Sequence, residues 1–214
     1  LREAGAKEEI IMLGLTPDMY ADTIVNYDIT PVVCDSKNAA AFAEAAKKAG
    51  KTVSALIAVD TGMGRIGYLA DDIDYAIEDV KKIAALDNFK IKGMFSHMST
   101  ADAADKTYSH QQAKKYNAFY TALTDAGISI PFRTLANSAS IMEIPSVYFD
   151  ACRPGIILYG CYPSDEVDVN QTGYVHQGKH RSLKGCSIQL LCWLRTQIYF
   201  QQTEQDCNDC FRLC

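Results

Sequence analysis

An arginine stands inside a glycine-rich segment that directly follows an apolar run. Residues 59–67 read Val-Asp-Thr-Gly-Met-Gly-Arg-Ile-Gly, so Arg65 lies among Gly62, Gly64 and Gly67. Glycine lets a backbone turn tightly and approach a ligand, and the planar guanidinium of arginine binds anions. The segment therefore predicts an anion site with Arg65 as a ligand. The alternative is an ordinary glycine-rich connection with a solvated arginine, because such loops are common.

A histidine and a second arginine accompany two other apolar runs. His97 directly follows the run that ends near Phe95, and Arg153 lies in the last apolar stretch of the same region. A histidine at a strand end can serve as a ligand, an acid, a base or a partner for a flat ring. A histidine held by core hydrogen bonds is the alternative. Burying an unpaired charge is costly, so we expect Arg153 to have a partner where it lies.

Two further segments carry groups that bind phosphate. Asn137 and Ser138 combine a helix cap with a hydroxyl, and the free N–H groups at a helix start attract anions. Gly155 precedes Ile156, and a glycine lets backbone N–H groups come close to the same anion. Barrels often bind phosphate with the loops after their last two strands, where these residues lie. A plain N-cap at Asn137 is the alternative.

The elements that position these residues alternate between strands and helices. The apolar runs predict strands, and helical patterns separate them; the strands are expected at residues 10–13, 29–34, 53–59, 91–95, 132–136 and 153–159. This alternation indicates a parallel α/β fold, either a doubly wound sheet or a (β/α)8 barrel. Polar groups at several strand ends favour the barrel. Six strands therefore predict a TIM-type (β/α)8 barrel truncated to about six βα units.

Taken together, the polar segments resemble alanine racemase, a family of pyridoxal-phosphate enzymes with a fold-type III barrel. The matching stretches appear in family order at residues 59–67, 96–102, 136–138, 153–160 and 162–164. The resemblance covers nearly all of residues 1–164. It implies interconversion of L-alanine and D-alanine, an isomerase activity that supplies cell-wall precursors. A serine or broad-specificity amino-acid racemase of the same family is the alternative.

The resemblance also implies roles for individual residues toward pyridoxal 5'-phosphate. Arg65 is expected near the phenolic oxygen of the cofactor, where it helps to place the substrate carboxylate. His97 is expected against the pyridine ring, and Arg153 is expected to donate to the pyridine nitrogen. Because arginine keeps its proton, that nitrogen stays unprotonated and the ring is a weaker electron sink. The phosphate is expected to be held by Ser138 together with its neighbour and the backbone of the last loop, namely Asn137, Gly155 and Ile156.

Other parts of the family pattern have no match in this chain. The Schiff-base lysine of the family lies on the first barrel strand, and its tyrosine base lies in a C-terminal β-domain. Racemisation by this route needs a base on each face of the substrate Cα. We therefore expect this chain to be inactive alone; a non-catalytic cofactor-binding barrel and an unstable gene fragment are further alternatives. Ala58 also stands where many members have a lysine that supports the residue equivalent to Arg65.

Composition and charge narrow the range of partners. The chain has 214 residues, a formal net charge of −5 and an isoelectric point near 5.4. Without a basic patch, nucleic acid is not expected as a partner. An apolar run of about 20 residues, which a membrane span needs, is absent from the sequence. We expect a cytoplasmic protein that binds a small amino acid, and the resemblance implies a homodimer for the intact family.

The last fifty residues differ in composition from the rest. All six Pro and all six Met lie in residues 1–164, whereas residues 165–214 hold the single Trp and five of the eight Cys. We interpret residues 1–164 as the partial barrel and residues 165–214 as an unrelated tail, consistent with a change of reading frame near Val167. A zinc site formed by His176, His180, Cys207 and Cys210 is an alternative, but the separation between the pairs is long, and no metal is expected.

Overall fold

A computed structural model describes residues 1–167, which form a parallel sheet with helices packed along it. The strands are β1 (Ile10–Leu15), β2 (Ile29–Val33), β3 (Val53–Asp60), β4 (Tyr68–Leu69), β5 (Phe89–Phe95) and β6 (Arg133–Thr134). The helices are α1 (Ala21–Asn26), α2 (Ser36–Lys48), α3 (Ile73–Ala84), α4 (Thr107–Asp125) and α5 (Ser138–Glu143). Short 3-10 helices occur at Asp18–Tyr20, Pro145–Val147 and Ile156–Tyr159.

The order of the strands decides between the two architectures that the sequence left open. The hydrogen-bonded order is β1-β2-β3-β5-β6, and the two-residue β4 pairs with the carboxyl end of β3. A doubly wound sheet reverses its strand order at a switch point, whereas a barrel adds each strand beside the last. The order observed here contains no reversal, and the sheet curls into a half-barrel. The predicted partial TIM-type barrel is confirmed.

Both faces of the sheet are buried, as a parallel sheet requires. Successive side chains of a strand point to opposite faces. Along β3, Leu56 and Ala58 therefore join a small cluster with Val32 and Phe95 on one face of the sheet. The side chains between them belong to the larger core that includes the helices. The apolar runs of the sequence thus reflect burial on two sides.

The residues before and after α2 show how the sequence sets the two ends of a helix. The carboxylate of Asp35 accepts a hydrogen bond from the backbone N–H of Asn38 at 2.7 Å, so Asp35 is the N-cap. Gly50 has φ of +64° just after the last helical turn. A capping carboxylate before the first turn and a glycine in the left-handed region after the last turn are common boundaries of a helix.

The last predicted strand differs from the sequence-based expectation. Instead of a sixth strand over residues 153–159, Ala151 forms an isolated bridge with Thr134, and the following residues enter the 3-10 helix Ile156–Tyr159. Pro154 has no N–H for a strand ladder, and Gly155 turns the backbone away at φ −103° and ψ −96°. The buried face of α4 comprises Ser109, Gln112, Tyr116, Phe119 and Leu123.

The described chain continues a few residues past the boundary proposed at residue 164. Val167 is buried in the main core, and the Glu166 carboxylate accepts a hydrogen bond from the backbone N–H of Ala104 at 2.7 Å. The remainder of the expected tail, residues 168–214, lies outside the described residues. Within residues 1–167, no helix has both the length and the apolarity to cross a membrane.

Candidate functional site

The candidate site residues follow the carboxyl ends of neighbouring parallel strands. The segment with Arg65 follows β3, His97 follows β5, and Ser138 follows β6. Arg153 follows Ala151, which is bridged to β6. Parallel barrel strands bring their carboxyl ends to one face, which is where barrels carry their active sites. The structure therefore gathers the sequence-predicted residues at the carboxyl-terminal end of the sheet.

The loop after β3 is shaped by a buried carboxylate and by a contact from α4. Asp60 Oδ1 accepts hydrogen bonds from the backbone N–H groups of Gly62 at 2.8 Å and Gly64 at 3.1 Å. The hydroxyl of Tyr108 on α4 donates to the carbonyl of Gly62 at 2.9 Å. Gly67, at φ +121°, packs so closely that a Cβ there would lie 2.6 Å from the backbone nitrogen of Asp60. The loop that carries Arg65 therefore has a defined path.

The side chain of Arg65, which lies within this loop, is exposed. Its guanidinium makes no hydrogen bond or ion pair to any residue between 1 and 167, which leaves its donors available to an anionic ligand. Ala58 is fully buried in β3 against apolar neighbours. Many members of the family that the sequence resembles have a lysine at this position. Ala58 therefore supplies no polar support to Arg65.

Arg153 is the most engaged cation of the site. Its guanidinium donates to Thr134 Oγ1 at 2.8 Å, to the carbonyl of Ser96 at 2.7 Å and to the carbonyl of Leu135 at 3.1 Å. It also lies over the ring of Phe95, 5.2 Å from the ring centroid. Burial lowers the pKa of Arg153 to about 10, so the group stays protonated at neutral pH.

The hydrogen bonds of Arg153 do not use all its donors. A guanidinium has about five N–H groups, and three hydrogen bonds to the described residues are formed, one from Nη1 and two from Nη2. The sequence predicts a partner for Arg153, and the partners that the structure shows are carbonyl and hydroxyl oxygens, not a carboxylate. The N–H of Nε and one N–H of Nη1 find no acceptor within residues 1–167 and can meet an acceptor on a ligand.

His97 is half-buried between the two arginines. Burial, and to a smaller extent the positive charges of Arg153 and Arg65, together lower the pKa of His97 from its ordinary 6.5 to about 4. The imidazole is therefore neutral at neutral pH. Its ring makes no hydrogen bond to the part of the chain described by the structure, so the alternative of a histidine held by core hydrogen bonds is not what is observed.

The loops after β6 and after Ala151 meet through a serine and a glycine. The backbone N–H of Gly155 donates to Ser138 Oγ at 2.9 Å. Asn137 caps α5, because its Oδ1 accepts from the backbone N–H of Ser140 at 3.1 Å and its Nδ2 donates to the carbonyl of Met98 at 3.3 Å. Ile156 is half-buried and opens the last 3-10 helix. Ser138 and Gly155 thus come together directly, while the side chain of Asn137 is occupied by capping.

A polar network beneath His97 includes Gln112, which lies outside every segment that the sequence predicts for the site. Thr61 Oγ1 lies 3.0 Å from Ser96 Oγ, and Gln112 on α4 hydrogen-bonds to both Thr61 and the segment after β5. Gln112 is fully buried. A sequence signal for it exists: Ser109, Gln112 and Tyr116 follow the spacing of three and four residues that marks one helix face. A long polar side chain on that face is the unexpected element.

The structure offers no support for a metal centre in the region it describes. Within residues 1–167, no group of three or more His, Cys, Asp and Glu side chains is close enough to hold a metal ion. The zinc alternative rests on His176, His180, Cys207 and Cys210, all of which lie outside the described residues.

A polar cavity of about 470 Å³ lies at the opposite end of the strands from the site residues. It is lined by the amino ends of β2, β3 and β5 and by cations including Arg2, Lys51 and Lys92. Arg2 and Lys51 donate to backbone carbonyls, and Lys92 is paired with Glu9. Barrel enzymes carry their active sites at the carboxyl ends of the strands, so this cavity at the amino ends is not the candidate site.

Comparison with known proteins agrees with the geometry. The family described as Alanine racemase, N-terminal domain, matches residues 1–163. An alanine racemase of Clostridium kluyveri is 46% identical over 170 residues, which are 79% of this chain and 43% of that protein. One of Clostridium novyi is 47% identical over 168 residues, or 78% of this chain and 43% of that protein.

Solved structures give the same result. The alanine racemase of Clostridium difficile 630 has a TM-score of 0.77 and 33% sequence identity, covering 80% of this chain and 44% of that chain. Its complex with cycloserine has the same TM-score and identity, covering 80% of this chain and 46% of that chain. This chain therefore spans less than half the length of the relatives it matches. By sequence and by fold, the chain belongs to the alanine racemase family through its N-terminal domain.

Proposed function

We propose that this chain carries the pyridoxal 5'-phosphate-binding strand ends of an amino-acid racemase whose substrate is alanine. The observation that carries the proposal is the guanidinium of Arg153, which is held by three oxygens and retains donors without a protein acceptor in the described chain. The names of the relatives support the activity: proteins more than 40% identical are alanine racemases, and one related structure holds cycloserine.

The donors at the loops after β6 and Ala151 fit a phosphate group. The backbone N–H of Gly155 donates to Ser138 Oγ at 2.9 Å, so the proton of the serine hydroxyl remains available to an anion at the start of the 3-10 helix. The adjacent N–H of Ile156 adds a further donor of the same kind. Ser138, Gly155 and Ile156 would therefore hold the phosphate, with Asn137 fixing the start of α5 beside them.

Arg153 and His97 fit the pyridine ring. A guanidinium that keeps its proton can only donate, so the ring nitrogen that it meets acts as an acceptor and stays unprotonated. His97, neutral because its pKa is about 4, presents a flat uncharged ring beside this arginine. When bound, pyridoxal 5'-phosphate withdraws electrons from the substrate Cα, and an unprotonated ring nitrogen makes that withdrawal weaker.

Arg65 fits the substrate carboxylate. Its guanidinium is exposed, makes no hydrogen bond within residues 1–167 and lies on a loop with a defined path. A planar fork of N–H donors matches the two oxygens of a carboxylate. This assignment selects amino acids by the group they all share, so it does not distinguish alanine from serine.

The proposed setting follows from the activity. We expect the enzyme to act in the cytoplasm, where D-alanine would supply cell-wall precursors, and to form the homodimer that the resemblance implies for the intact family. Racemisation needs a proton acceptor and a proton donor on opposite faces of the Cα. We expect the 214-residue polypeptide to bind the cofactor without turnover, because the arginines and the acid-shifted histidine are poor acceptors of a Cα proton at neutral pH.

Binding of pyridoxal 5'-phosphate to the 214-residue chain tests the proposal. Ser138→Ala and Arg153→Met are each expected to weaken binding about tenfold, which corresponds to about 1.4 kcal/mol. Titration calorimetry with the cofactor and with pyridoxal measures the contribution of the phosphate directly. Ser146→Ala, at an exposed serine away from the strand ends, is the matched control and should bind like the wild type. Unchanged affinity in both site variants would show that these residues do not form the site.

A second assay addresses turnover and substrate. The chain is incubated with cofactor and either L-alanine or L-serine, and the D-isomer is measured against a cofactor-and-buffer control. We expect no D-isomer above that control. Formation of D-alanine would show that this polypeptide supplies both proton-transfer groups, and formation of D-serine at a comparable rate would favour the broad-specificity alternative.

A further inference from the structure

Gln112 is a buried polar side chain whose burial needs an explanation. It lies on α4 between Ser109 and Tyr116 and is fully inaccessible to solvent. Burying an amide without hydrogen bonds costs free energy, and buried polar groups are therefore almost always bonded. Neither the sequence resemblance nor the proposed cofactor contacts assign Gln112 a role.

Its hydrogen bonds all reach the strand-end segments of the candidate site. Gln112 Nε2 donates to Thr61 Oγ1 at 3.2 Å and to the carbonyl of His97 at 3.3 Å. Gln112 Oε1 accepts from the backbone N–H of Ser99 at 3.0 Å and from Ser99 Oγ at 3.1 Å. A carboxamide has two donors and one oxygen with two acceptor sites, so every position is used.

This arrangement demands an amide. An ionised glutamate accepts but cannot donate, and an apolar side chain does neither. Either replacement would leave the His97 carbonyl or the Ser99 N–H without its partner. The pattern of two donations and two acceptances therefore matches glutamine specifically, in side-chain length as well as in polarity.

The network replaces backbone pairing where the sheet ends. The register between β3 and β5 runs as far as Ala58 and Phe95. Beyond those residues, Thr61 and Ser96 are joined through their hydroxyls, and Gln112 bonds to the segments that follow both strands. The relative position of the two site segments thus depends on these side chains.

His97 is consequently fixed from both sides of its backbone. Arg153 binds the carbonyl of Ser96, immediately before His97, at 2.7 Å. Gln112 binds the carbonyl of His97 itself and the N–H of Ser99. We propose that Gln112 is a positioning residue that sets the orientation of His97 relative to Arg153. The relevance of this orientation to a cofactor rests on the proposed function. The effect of Gln112 on the orientation of His97 is independent of the proposed function.

NMR titration of the histidine ring protons in the cofactor-free, 214-residue chain tests the proposal. The His97 signal is assigned by its loss in His97→Gln. Gln112→Met, similar in length but unable to form the network, is expected to raise the pKa of His97 by about one pH unit or more, because a released ring gains solvent and moves from Arg153. Thr61→Val, a variant of similar shape, should shift it in the same direction by less.

The control variant separates positioning from general loosening. Leu123→Ala creates a cavity under the same helix, at a fully buried position whose apolar side chain forms no hydrogen bond of the network. It should lower the melting temperature while leaving the His97 titration unchanged. The proposal is overturned if Leu123→Ala shifts the pKa of His97 as much as Gln112→Met does. It is also overturned if Thr61→Val and, where it folds, Gln112→Met titrate like the wild type. Because no cofactor is present, failure of cofactor binding leaves this result intact.

Discussion

Arg153 joins the charge of the site to its architecture. Its hydrogen bonds reach Ser96 at the end of β5 and Thr134 and Leu135 at β6, so a single side chain spans two strand ends. A lysine would keep the charge but lose the planar fork that makes these bonds simultaneously. Burial, and then the charges of this guanidinium and of Arg65, disfavour the protonated form of His97. Arg153 therefore helps to keep this histidine neutral while it joins the two strand ends.

The first prediction concerns this histidine and pH. The pKa of His97 is about 4 in the folded chain and about 6.5 when unfolded. Between these two pH values, the His97 side chain is more often protonated in the unfolded chain than in the folded one. The contribution of His97 to the free energy of unfolding therefore falls as the pH falls. The free energy of unfolding of the wild type minus that of His97→Gln should therefore decrease as the pH falls from 6.5 to about 4.

Urea denaturation at several pH values measures this difference. Its slope has an upper limit of about 1.4 kcal/mol per pH unit for one proton, and solvent screening at the half-exposed ring reduces it. Taking the difference between the two proteins removes the contribution of the carboxylates that both share. A difference independent of pH across this range would contradict the lowered pKa of His97.

At the scale of elements, the loop after β3 is held by its neighbours and by its own carboxylate. Asp60 binds two backbone N–H groups of the loop, and β4 returns the chain alongside β3. Tyr68 of β4 donates to Asp79 on α3, and Asp79 also accepts from the backbone and the hydroxyl of Ser36 at the start of α2. The loop, β4, α2 and α3 thus form one hydrogen-bonded unit behind Arg65.

The second prediction tests the packing of this loop against β3. Gly67→Ala places a Cβ 2.6 Å from the backbone nitrogen of Asp60 in a left-handed conformation. Strain and overpacking together should lower the free energy of unfolding by about 2–4 kcal/mol. Gly64→Ala is the matched control, because Gly64 has φ of +72° but no atom within 4 Å of the added Cβ; its cost should be about 1 kcal/mol.

Chemical denaturation of both variants gives the comparison, and the cofactor titration described above gives a second one. Gly67→Ala should also weaken cofactor binding, because the loop that presents Arg65 must shift. Equal destabilisation by the two substitutions would show that the approach of Gly67 to the backbone of β3 is not tight in solution.

At the scale of the molecule, the sheet described by residues 1–167 is open at both sides. On one side β1 pairs only with β2, and on the other Ala151 makes a single bridge to β6. Leu13 and Leu15 of β1 are exposed. Unpaired strand edges with apolar side chains recruit other strands. The edge at β1 is therefore the part of this surface most able to pair with another chain.

The third prediction is that the 214-residue polypeptide associates through β1. Sedimentation velocity over a range of concentrations should show a rising mean mass, and Leu13→Lys with Leu15→Lys should reduce that rise, because charges on an edge strand oppose pairing. Tyr75→Lys, at an aromatic residue on α3 that is more exposed than either leucine, serves as the control and should associate like the wild type. Association that the β1 variants leave unchanged would place the contact elsewhere.

Much of the fold follows from local patterns in the chain. Apolar runs buried on both faces and their alternation with helices specify a parallel α/β fold, because each pattern reflects the period of its element. Short polar and glycine-rich segments mark the strand ends for a similar reason: the requirements of a turn, a cap or a close backbone approach are local. Arg65, His97, Ser138 and Arg153 are identified as site candidates in this way.

Contacts between residues far apart in the chain were decided only by folding. The choice of a barrel over a doubly wound sheet depends on which strands pair, and that follows from strand order in space. The 3-10 helix at Ile156–Tyr159 replaces a predicted strand because Pro154 and Gly155 end the ladder after Ala151. Gln112 meets His97 and Ser99 across an interval of 13 to 15 residues, and Arg153 meets Ser96 across 57. A hydrogen bond needs its two atoms within about 3 Å, which no local pattern specifies when the partners are brought together by packing.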